Sequence, residues 1–340
     1  MENKTFNELR KLIQHEYACA ENDWYLGYSG GKDSTALLIL VLHAIRDIPA
    51  NGNCLIHVIY CDTGVEFPVI SLSVRNQFHA LEQELQCKCN GKIVFEIKKP
   101  IVEERFFSMV IGKGYVPPTF LFRWCTKRLR IKPLQRELGN AITPSTVLLG
   151  VRSGESNARD RIINRRKVDH YYTTQDGYPN SRVFCPIIDL EVKDVWRIIG
   201  ESEYPTSIDR NNIKHLYSCV GTVFSEDGEY LYDEKRGRFG CWTCTVVEKD
   251  HAMEGLISHG HSELSPLNEF IIWLRSIRND PTRRGKNRIN GVDGKGPFTL
   301  ETRIEIYNRL QEAEEKSGIN LLSPDERIYI SQLLNLPPKT

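Results

Sequence analysis

The six residues SGGKDS, at positions 29–34, separate a β-rich run, WYLGYS at 24–29, from an apolar helical pattern, STALLILVLHAI at 34–45. A glycine-rich turn between a strand and a helix is a common position for a phosphate-binding loop, because the first N–H groups of the helix have no partner within the helix. The segment therefore predicts an α/β domain that binds an anion where its first strand ends.

The side chains of this loop suit a pyrophosphate group accompanied by a cation. Paired glycines allow a tight turn that brings backbone N–H groups against phosphate oxygens. The two serine hydroxyls can donate hydrogen bonds, the lysine can neutralise phosphate charge, and the aspartate can hold Mg²⁺. It is not a Walker loop, because Asp33 follows the Gly-Lys pair and Leu26 stands where the first glycine is needed. The residues expected to bind the pyrophosphate group here are Ser29, Gly30, Gly31, Lys32, Asp33 and Ser34.

Strands and helices alternate through the rest of the first half. The sequences LIHVIYC at 55–61, KIVFEI at 92–97 and TVLLGV at 146–151 are predicted strands, with helical patterns between them. Such alternation indicates a parallel sheet with right-handed crossovers and helices on both faces. Ligands of these sheets bind at the carboxyl ends of the strands, where Asp62 follows the second predicted strand. A plain turn aspartate is the alternative interpretation of Asp62.

The character of the sequence changes after about residue 200. Loops and turns come first, and helical patterns near 265–278, 300–314 and 324–335 follow. We expect a nucleotide-binding domain at 1–200, a cysteine-bearing loop region at 201–260 and a helical carboxy-terminal extension at 261–340.

The overall composition is that of an ordinary globular protein. The 340 residues include 45 Lys and Arg against 44 Asp and Glu, a formal net charge of +1, so affinity for a polyanion depends on local patches. The longest strongly apolar stretch, residues 36–45, is about half of what a membrane-spanning helix needs. The first residues have the pattern of an amphipathic helix rather than of an export signal. We expect a cytoplasmic protein with reduced cysteines and no membrane partner.

The loop SGGKDS resembles the signature of the PP-loop, or N-type, ATP pyrophosphatases, which cleave ATP between the α and β phosphates and adenylate an acceptor oxygen. Three further segments are similar to blocks of the phosphoadenosine phosphosulfate reductase branch of that superfamily. They are YCDTGVEFP at 60–68, RWCTKRLRIKPL at 123–134 and GVRSGES at 150–156, the last followed by Arg159. The resemblance implies an adenine nucleotide α-hydrolase-like, Rossmann-like fold.

The same resemblance implies roles for individual residues. The implied catalytic residues are Lys32, Asp33, Asp62 and Arg152. The implied nucleotide contacts outside the loop are Asp62, Thr63, Gly64, Arg128, Gly150, Arg152 and Arg159. Arg128 and Arg152 belong to two basic runs, at 123–136 and 152–167, which suit a triphosphate and a nucleic-acid backbone; solvated helix faces are the alternative.

Four of the ten cysteines are candidates for a metal site. The pair Cys241 and Cys244 has CxxC spacing, and Cys125 and Cys219 are the best sources of two further ligands. Four thiolates suit zinc and an iron–sulfur cluster equally by number, and a redox-active CxxC is a further alternative.

The segment RFGCWTCTVVEKD at 238–250 resembles the DNA phosphorothioation proteins of the DndC and SspD family. That resemblance implies a [4Fe–4S] cluster held by the four cysteines. In the family the third cysteine lies closer to the CxxC, whereas Cys219 precedes Cys241 by 22 positions here. A predicted hairpin around Asp227-Gly228 occupies the interval.

Together the resemblances imply an ATP pyrophosphatase that adenylates a DNA backbone phosphate for sulfur incorporation. ATP and Mg²⁺ would join the cluster as cofactors, and DNA, a cysteine desulfurase and other phosphorothioation proteins would be partners. A phosphoadenosine phosphosulfate or adenylylsulfate reductase is one rival interpretation, although such enzymes tend to have degenerate phosphate loops and many use a carboxy-terminal cysteine. A tRNA-thiolating PP-loop enzyme is a second rival, and a non-catalytic nucleotide sensor is a third.

Overall fold

The computed structural model describes most of the chain. The described residues are 4–46, 48, 54–85, 93–138, 145–154, 157–174, 181–234, 239–287 and 291–337, with only the backbone described at 4, 137, 157–159 and 162. The chain forms two compact units. One comprises Met1–Cys61, Val69–Lys98 and Leu134–Glu234, and the other comprises Asp62–Pro68, Lys99–Pro133 and Lys235–Thr340. The three-part division expected from the sequence stays a prediction.

A six-stranded sheet forms the centre of the first unit, in the order β3-β2-β1-β4-β6-β5. The strands are β1 (Trp24–Tyr28), β2 (Ile56–Cys61), β3 (Ile93–Lys98), β4 (Thr146–Leu149), β5 (Tyr172–Thr173) and β6 (Arg182–Phe184). All neighbouring pairs are parallel except β5 with β6. The predicted parallel, Rossmann-like sheet is confirmed, whereas β5 and β6 were not predicted because two or three residues are too few to show a strand pattern.

Register follows from the apolar residues of the central strand. Leu26 of β1 is opposite Val58 of β2 and Leu148 of β4, and all three side chains are buried. These three partners lie on one face of the sheet, and that face is therefore covered.

The first unit also contains helices. They are α1 (Lys4–Ala18), α2 (Lys32–Arg46), α3 (Pro68–Leu85), α4 (Lys132–Leu138), α5 (Asn157–Arg166), α6 (Val192–Glu201) and α7 (Arg210–Cys219). Between α1 and α6, the apolar helix α2 is buried on nearly every side, which fits its lack of a polar face. The predicted hairpin around Gly228 is confirmed, as β7 (Thr222–Phe224) and β8 (Tyr230–Asp233) pair antiparallel.

The second unit is helical. Its helices are α8 (His251–Ser258), α9 (Ser265–Ile277), α10 (Leu300–Ser317) and α11 (Pro324–Leu334), so the three predicted carboxy-terminal helices are confirmed. Two short π-helical segments, Ser108–Gly112 and Thr126–Ile131, belong to the same unit. Throughout the part of the chain that is described, no helix combines the length and apolar character needed to cross a membrane.

Candidate nucleotide-binding site

The order of the strands sets the position of the site. From β1 the chain continues to β2 and β3 on one side, and β4 then pairs with the opposite edge of β1. The carboxyl ends of β1 and β4 are thus the switch point of the sheet, where doubly wound folds bind ligands. Residues 29–34 follow β1 and residues 150–154 follow β4. Two of the sequence-predicted segments therefore lie at this point.

Gly30 gives the loop its conformation. It has a φ of +75°, a region that glycine enters without strain, and a Cβ built on it would lie 2.5 Å from Cγ2 of Val74 in α3. Hydroxyls fix the rest of the turn. Oγ of Ser34 donates to the Gly31 carbonyl at 2.9 Å and lies 3.1 Å from Oγ of Ser29. The loop is therefore held in shape by its own side chains.

The start of α2 is covered by Tyr217, a residue of α7 that the sequence did not indicate. The N–H of Lys32 donates to the Tyr217 hydroxyl at 3.0 Å, and Nζ of Lys32 lies 5.2 Å from the centre of the Tyr217 ring. A Cβ on Gly31 would lie 3.2 Å from the same hydroxyl, so the second glycine permits this contact. Burial raises the pKa of Tyr217, and the group stays a neutral hydroxyl at physiological pH.

A buried ion pair joins the two segments. Nε of Arg152 donates to Oδ1 of Asp33, and Nη1 of Arg152 donates to the Leu190 carbonyl at 3.0 Å. Nζ of Lys32 lies 3.2 Å from Oδ2 of Asp33. Arg152 is only 5% exposed, so its guanidinium has one fixed position. Two cations and one carboxylate therefore stand together at the amino-terminal end of α2.

Close approach of the two segments depends on Gly150. A Cβ on Gly150 would lie 3.0 Å from the carbonyl of Asp33 and from the backbone nitrogen of Ser34. Any larger residue would push the end of β4 away from the start of α2. The predicted contacts Gly150, Arg152, Lys32 and Asp33 are thus neighbours in the structure.

Asp62, Thr63 and Gly64 form a turn in the second unit. Oδ1 of Asp62 accepts from the Gly64 N–H at 3.1 Å, and its Oδ2 lies 3.7 Å from Nζ of Lys99. Thr63 donates through both its N–H and its hydroxyl to Glu66, and Gly64 has a φ of +75°. These contacts account for the burial of Asp62, and its nucleotide or Mg²⁺ role stays a prediction.

Much of the first basic run is engaged within the second unit. Arg128 lies 3.6 Å from Oε1 of Glu104 and 5.4 Å from the centre of the Tyr115 ring, and Lys132 pairs with the same glutamate. A phosphate contact by Arg128 would have to compete with these partners, and it stays a prediction. The side chain of Arg159, the other predicted arginine, lies outside the described residues.

Three of the four predicted metal-ligand cysteines belong to the second unit. Desolvation raises the pKa of the Cys241 thiol to about 12, the Arg130 guanidinium opposes that shift, and Cys125 and Cys244 reinforce it. Nη2 of Arg130 lies 3.7 Å from Sγ of Cys241. These thiols therefore lie within electrostatic range of one another.

Cys219 belongs to the first unit, where its Sγ lies 3.9 Å from Nε2 of His215. Searching the described residues reveals no group of three or more His, Cys, Asp or Glu side chains that could hold a metal ion. The donor set thus does not fit a cluster as it stands, and the four-cysteine ligand set stays a prediction.

Comparison with known proteins gives the family. Residues 24–208, more than half of the chain, match the model of the phosphoadenosine phosphosulfate reductase domain. The chain belongs to the phosphoadenosine phosphosulfate reductase domain family. The matched region contains the loop and Arg152, and it ends before the CxxC cysteines. A comparison with curated proteins found no matching sequence.

The comparison with solved structures matches proteins of low sequence identity. A phosphoadenylyl-sulfate reductase from Candida auris is 14% identical, covering 59% of this chain and 87% of its own, with a TM-score of 0.37. An FMN adenylyltransferase from Candida glabrata, solved with FMN and AMPCPP, is 13% identical over 90% and 82%, with a TM-score of 0.39. The U34-tRNA thiolase NcsA from Methanococcus maripaludis, with its [4Fe-4S] cluster, is 12% identical over 90% and 87%, with a TM-score of 0.41.

Proposed function

We propose that this chain is an ATP pyrophosphatase, which cleaves ATP to AMP and pyrophosphate and transfers the adenylate to an acceptor oxygen. One observation carries the proposal: Lys32, Asp33 and Arg152 form one connected cluster at the amino-terminal end of α2, beside an intact glycine loop. Helix dipole, loop N–H groups and two cations all favour a polyphosphate at this position. A nucleotide-binding fold with this arrangement suits reaction at a phosphorus atom.

The mechanism is one of positioning and charge stabilisation. An acceptor oxygen attacks the α-phosphorus, and the bond to the β-phosphate oxygen breaks, so pyrophosphate leaves with the electron pair. Lys32 and Arg152 stabilise the negative charge that develops on this leaving group. The Leu190 carbonyl fixes Arg152, so little reorganisation is needed during the reaction. A phosphate acceptor is already an anion, which removes the need for a general base.

Mg²⁺ fits this site as an ion that arrives with the nucleotide. Magnesium usually takes one or two carboxylates together with substrate phosphates and water. Asp33 would supply the carboxylate, and the ion would neutralise phosphate charge. Asp33 already lies beside two cationic groups, since its carboxylate pairs with Lys32 and Arg152.

For the acceptor we favour a DNA backbone phosphate. The support is the similarity of residues 238–250 to DNA phosphorothioation proteins and the exposed basic side chains of Arg161, Arg165 and Lys167 in and after α5. Adenylation replaces a poor oxide leaving group by AMP. The terminal sulfur of a persulfide on a cysteine desulfurase partner would then form the P–S bond as the P–O bond to AMP breaks, and a thiol reductant would cleave the S–S bond, becoming oxidised to a disulfide.

The reaction is tested by the products formed from ATP. We expect AMP and pyrophosphate, with most activity lost in Lys32→Ala and Asp33→Ala. Lys11→Ala, which changes an exposed lysine of α1, is the matched control and should keep full activity. Formation of ADP and orthophosphate would refute the proposal.

The acceptor is tested with ATP labelled at the α-phosphorus. We expect DNA to stimulate pyrophosphate release and to acquire the label. Stimulation and labelling by tRNA alone would instead identify a thiolase acting on RNA.

Reduction of phosphoadenosine phosphosulfate is the second candidate, because the family match covers that activity equally. A reductase would release sulfite from phosphoadenosine phosphosulfate when given a dithiol donor, with no ATP. The intact lysine and aspartate of the loop favour the pyrophosphatase. Sulfite release that survives Lys32→Ala would favour the reductase.

A further inference from the structure

A turn in the second unit exposes three consecutive large apolar side chains. Phe120 is 70% exposed, Leu121 is 93% exposed and Phe122 is 48% exposed. We call residues 120–122 the apolar tip. Single exposed apolar residues are common on proteins, but a contiguous run of three indicates a binding surface.

The turn itself is closed by hydrogen bonds. Thr119 and Phe122 exchange backbone N–H to carbonyl hydrogen bonds of 3.3 and 3.2 Å, and the Thr119 hydroxyl also accepts from the Phe122 N–H at 3.1 Å. These hydrogen bonds fix the backbone conformation of the turn that contains the apolar tip.

Both arms of the turn are fastened to the rest of the second unit. The Pro118 carbonyl accepts from Oγ1 of Thr245 at 2.7 Å and from Nη1 of Arg278 at 3.1 Å. Nε1 of the buried Trp124 donates to the Val116 carbonyl at 2.9 Å. The residues on both sides of the turn are therefore anchored by hydrogen bonds, and the three apolar side chains are exposed to solvent on a fixed backbone.

Basic residues follow the apolar tip in the sequence. Residues 119–133 include five Lys and Arg and no Asp or Glu. Among the described residues, the ion pairs of this segment belong to Arg128, Arg130 and Lys132, and none involves Arg123 or Lys127. The Arg123 guanidinium lies 5.1 Å from the centre of the Phe120 ring. An aromatic side chain is thus paired with a cation that has no acidic partner in the described part of the chain.

We propose that the apolar tip stacks against unpaired bases of single-stranded DNA, with Arg123 and Lys127 on the neighbouring phosphates. Aromatic rings stack on any base, and apolar side chains act as wedges between base steps. The local charge complements a polyanion. Three side chains offer far less than the roughly 800 Å² per partner of a stable protein interface, which disfavours a protein as the occupant.

This inference rests on the proposed DNA acceptor and adds the strand state of that substrate. In an intact duplex the faces of the bases are stacked on one another and are not available to Phe120 or Phe122. Binding should therefore favour single strands, or duplexes with an unpaired segment.

The experiment compares the whole protein with a variant of the apolar tip. Fluorescence anisotropy measures binding to a labelled single-stranded oligonucleotide and to the same strand annealed to its complement. Phe120→Ser combined with Phe122→Ser should weaken single-strand binding about tenfold or more and leave duplex binding unchanged. Leu72→Ser, at a 60% exposed apolar residue of α3, is the matched control and should bind as the parent does.

Several outcomes would overturn the inference. They are equal single-strand affinity in parent and variant, tighter binding to RNA of the same sequence, and an effect confined to anionic vesicles or to self-association. Pyrophosphate release without DNA separates the two proposals. It should be the same in the tip variant and the parent, whereas ADP formation by the parent refutes the pyrophosphatase whatever the binding result.

Discussion

The glycine loop of the first unit and the cysteine group of the second unit both place an arginine beside a group that can carry negative charge. At the loop, Arg152 pairs with the Asp33 carboxylate and also donates to the Leu190 carbonyl, so its guanidinium is already held in place. At the cysteine group, Arg130 faces Cys241, whose pKa is raised to about 12 by desolvation. The loop is thus organised for a ligand in advance. The cysteines must lose protons, and their geometry must change, before they can hold a metal.

The largest expected effect is a loss of bound metal when the cysteines of the second unit are replaced. If the four-cysteine set is correct, anaerobically purified protein contains iron and acid-labile sulfide, and Cys241→Ser and Cys244→Ser lose both, because thiolates are the ligands of such clusters. Cys19→Ser, at an exposed cysteine of the first unit, is the control. Iron content is measured directly. One zinc per chain without sulfide would reassign the site, and full iron content in Cys219→Ser would remove Cys219 from the set.

The next effect tests whether the loop cluster is organised in advance. Arg152→Ala should lower the rate of pyrophosphate release about 10²–10³-fold, because it removes the fixed positive charge that stabilises the leaving pyrophosphate. Arg152→Lys should recover little, since one ammonium group cannot reproduce the bonds to both Asp33 and Leu190. Arg197→Ala, at a half-exposed arginine of α6, is the control. A rate within twofold of the parent for Arg152→Ala would contradict the proposed role.

A third test compares the partly exposed Asp33 of the first unit with the buried Glu326 of the second. Asp33 is paired with two cations, whereas Glu326 of α11 accepts from the N–H of Ser108 at 3.0 Å and from its hydroxyl at 3.3 Å. Burial raises the pKa of Glu326 to about 7 from 4.5. The folded state therefore binds a proton that the unfolded state has released between about pH 4.5 and pH 7, so this group reduces stability as pH rises through that interval.

Glu326→Gln should remove the decrease in folding stability that Glu326 causes as pH rises, which amounts to at most about 3 kcal/mol. Denaturant unfolding at several pH values between pH 5 and pH 8 measures it. We expect the variant and the parent to be similar near pH 5 and the variant to be the more stable near pH 8. If the free energy of unfolding decreased equally with pH in the variant and the parent, a group other than Glu326 would be responsible.

The smallest effect concerns the loop backbone. Gly30→Ala should cost about 1–3 kcal/mol of folding free energy and weaken ATP binding, because φ is positive and the new Cβ meets Val74. Combining it with Val74→Ala should restore part of the loss by removing the close contact. Gly240→Ala, whose new Cβ would meet no described atom within 4 Å, serves as the control in thermal unfolding. No recovery in the double variant would assign the whole cost to the backbone conformation.

The parts predicted from sequence are those encoded by local pattern. The strand, loop and helix at 24–46 follow from glycine spacing and apolar periodicity. Arg152 comes one residue after the predicted strand at 146–151, so its position at the end of that strand could also be predicted. The fold class followed from the alternation of strands and helices.

Contacts between distant segments could not be predicted. Tyr217 meets Lys32 across 185 positions, and no residue type near Tyr217 signals that contact. The partners Glu104 and Glu66 of the basic run likewise come from other segments, so a run with no acidic residue of its own is in part paired with glutamates. Charge on a sequence shows which side chains are ionised, but the neighbours that the fold supplies decide which remain available to a ligand.

The measurement that tests the proposed chemistry most directly uses ATP with ¹⁸O in the bridge between the α and β phosphates. Attack at the α-phosphorus breaks the bond between that phosphorus and the bridging oxygen. We therefore predict that all of the label is recovered in pyrophosphate and that AMP is unlabelled. Label recovered in AMP, or in ADP formed together with orthophosphate, would contradict adenylate transfer by this protein.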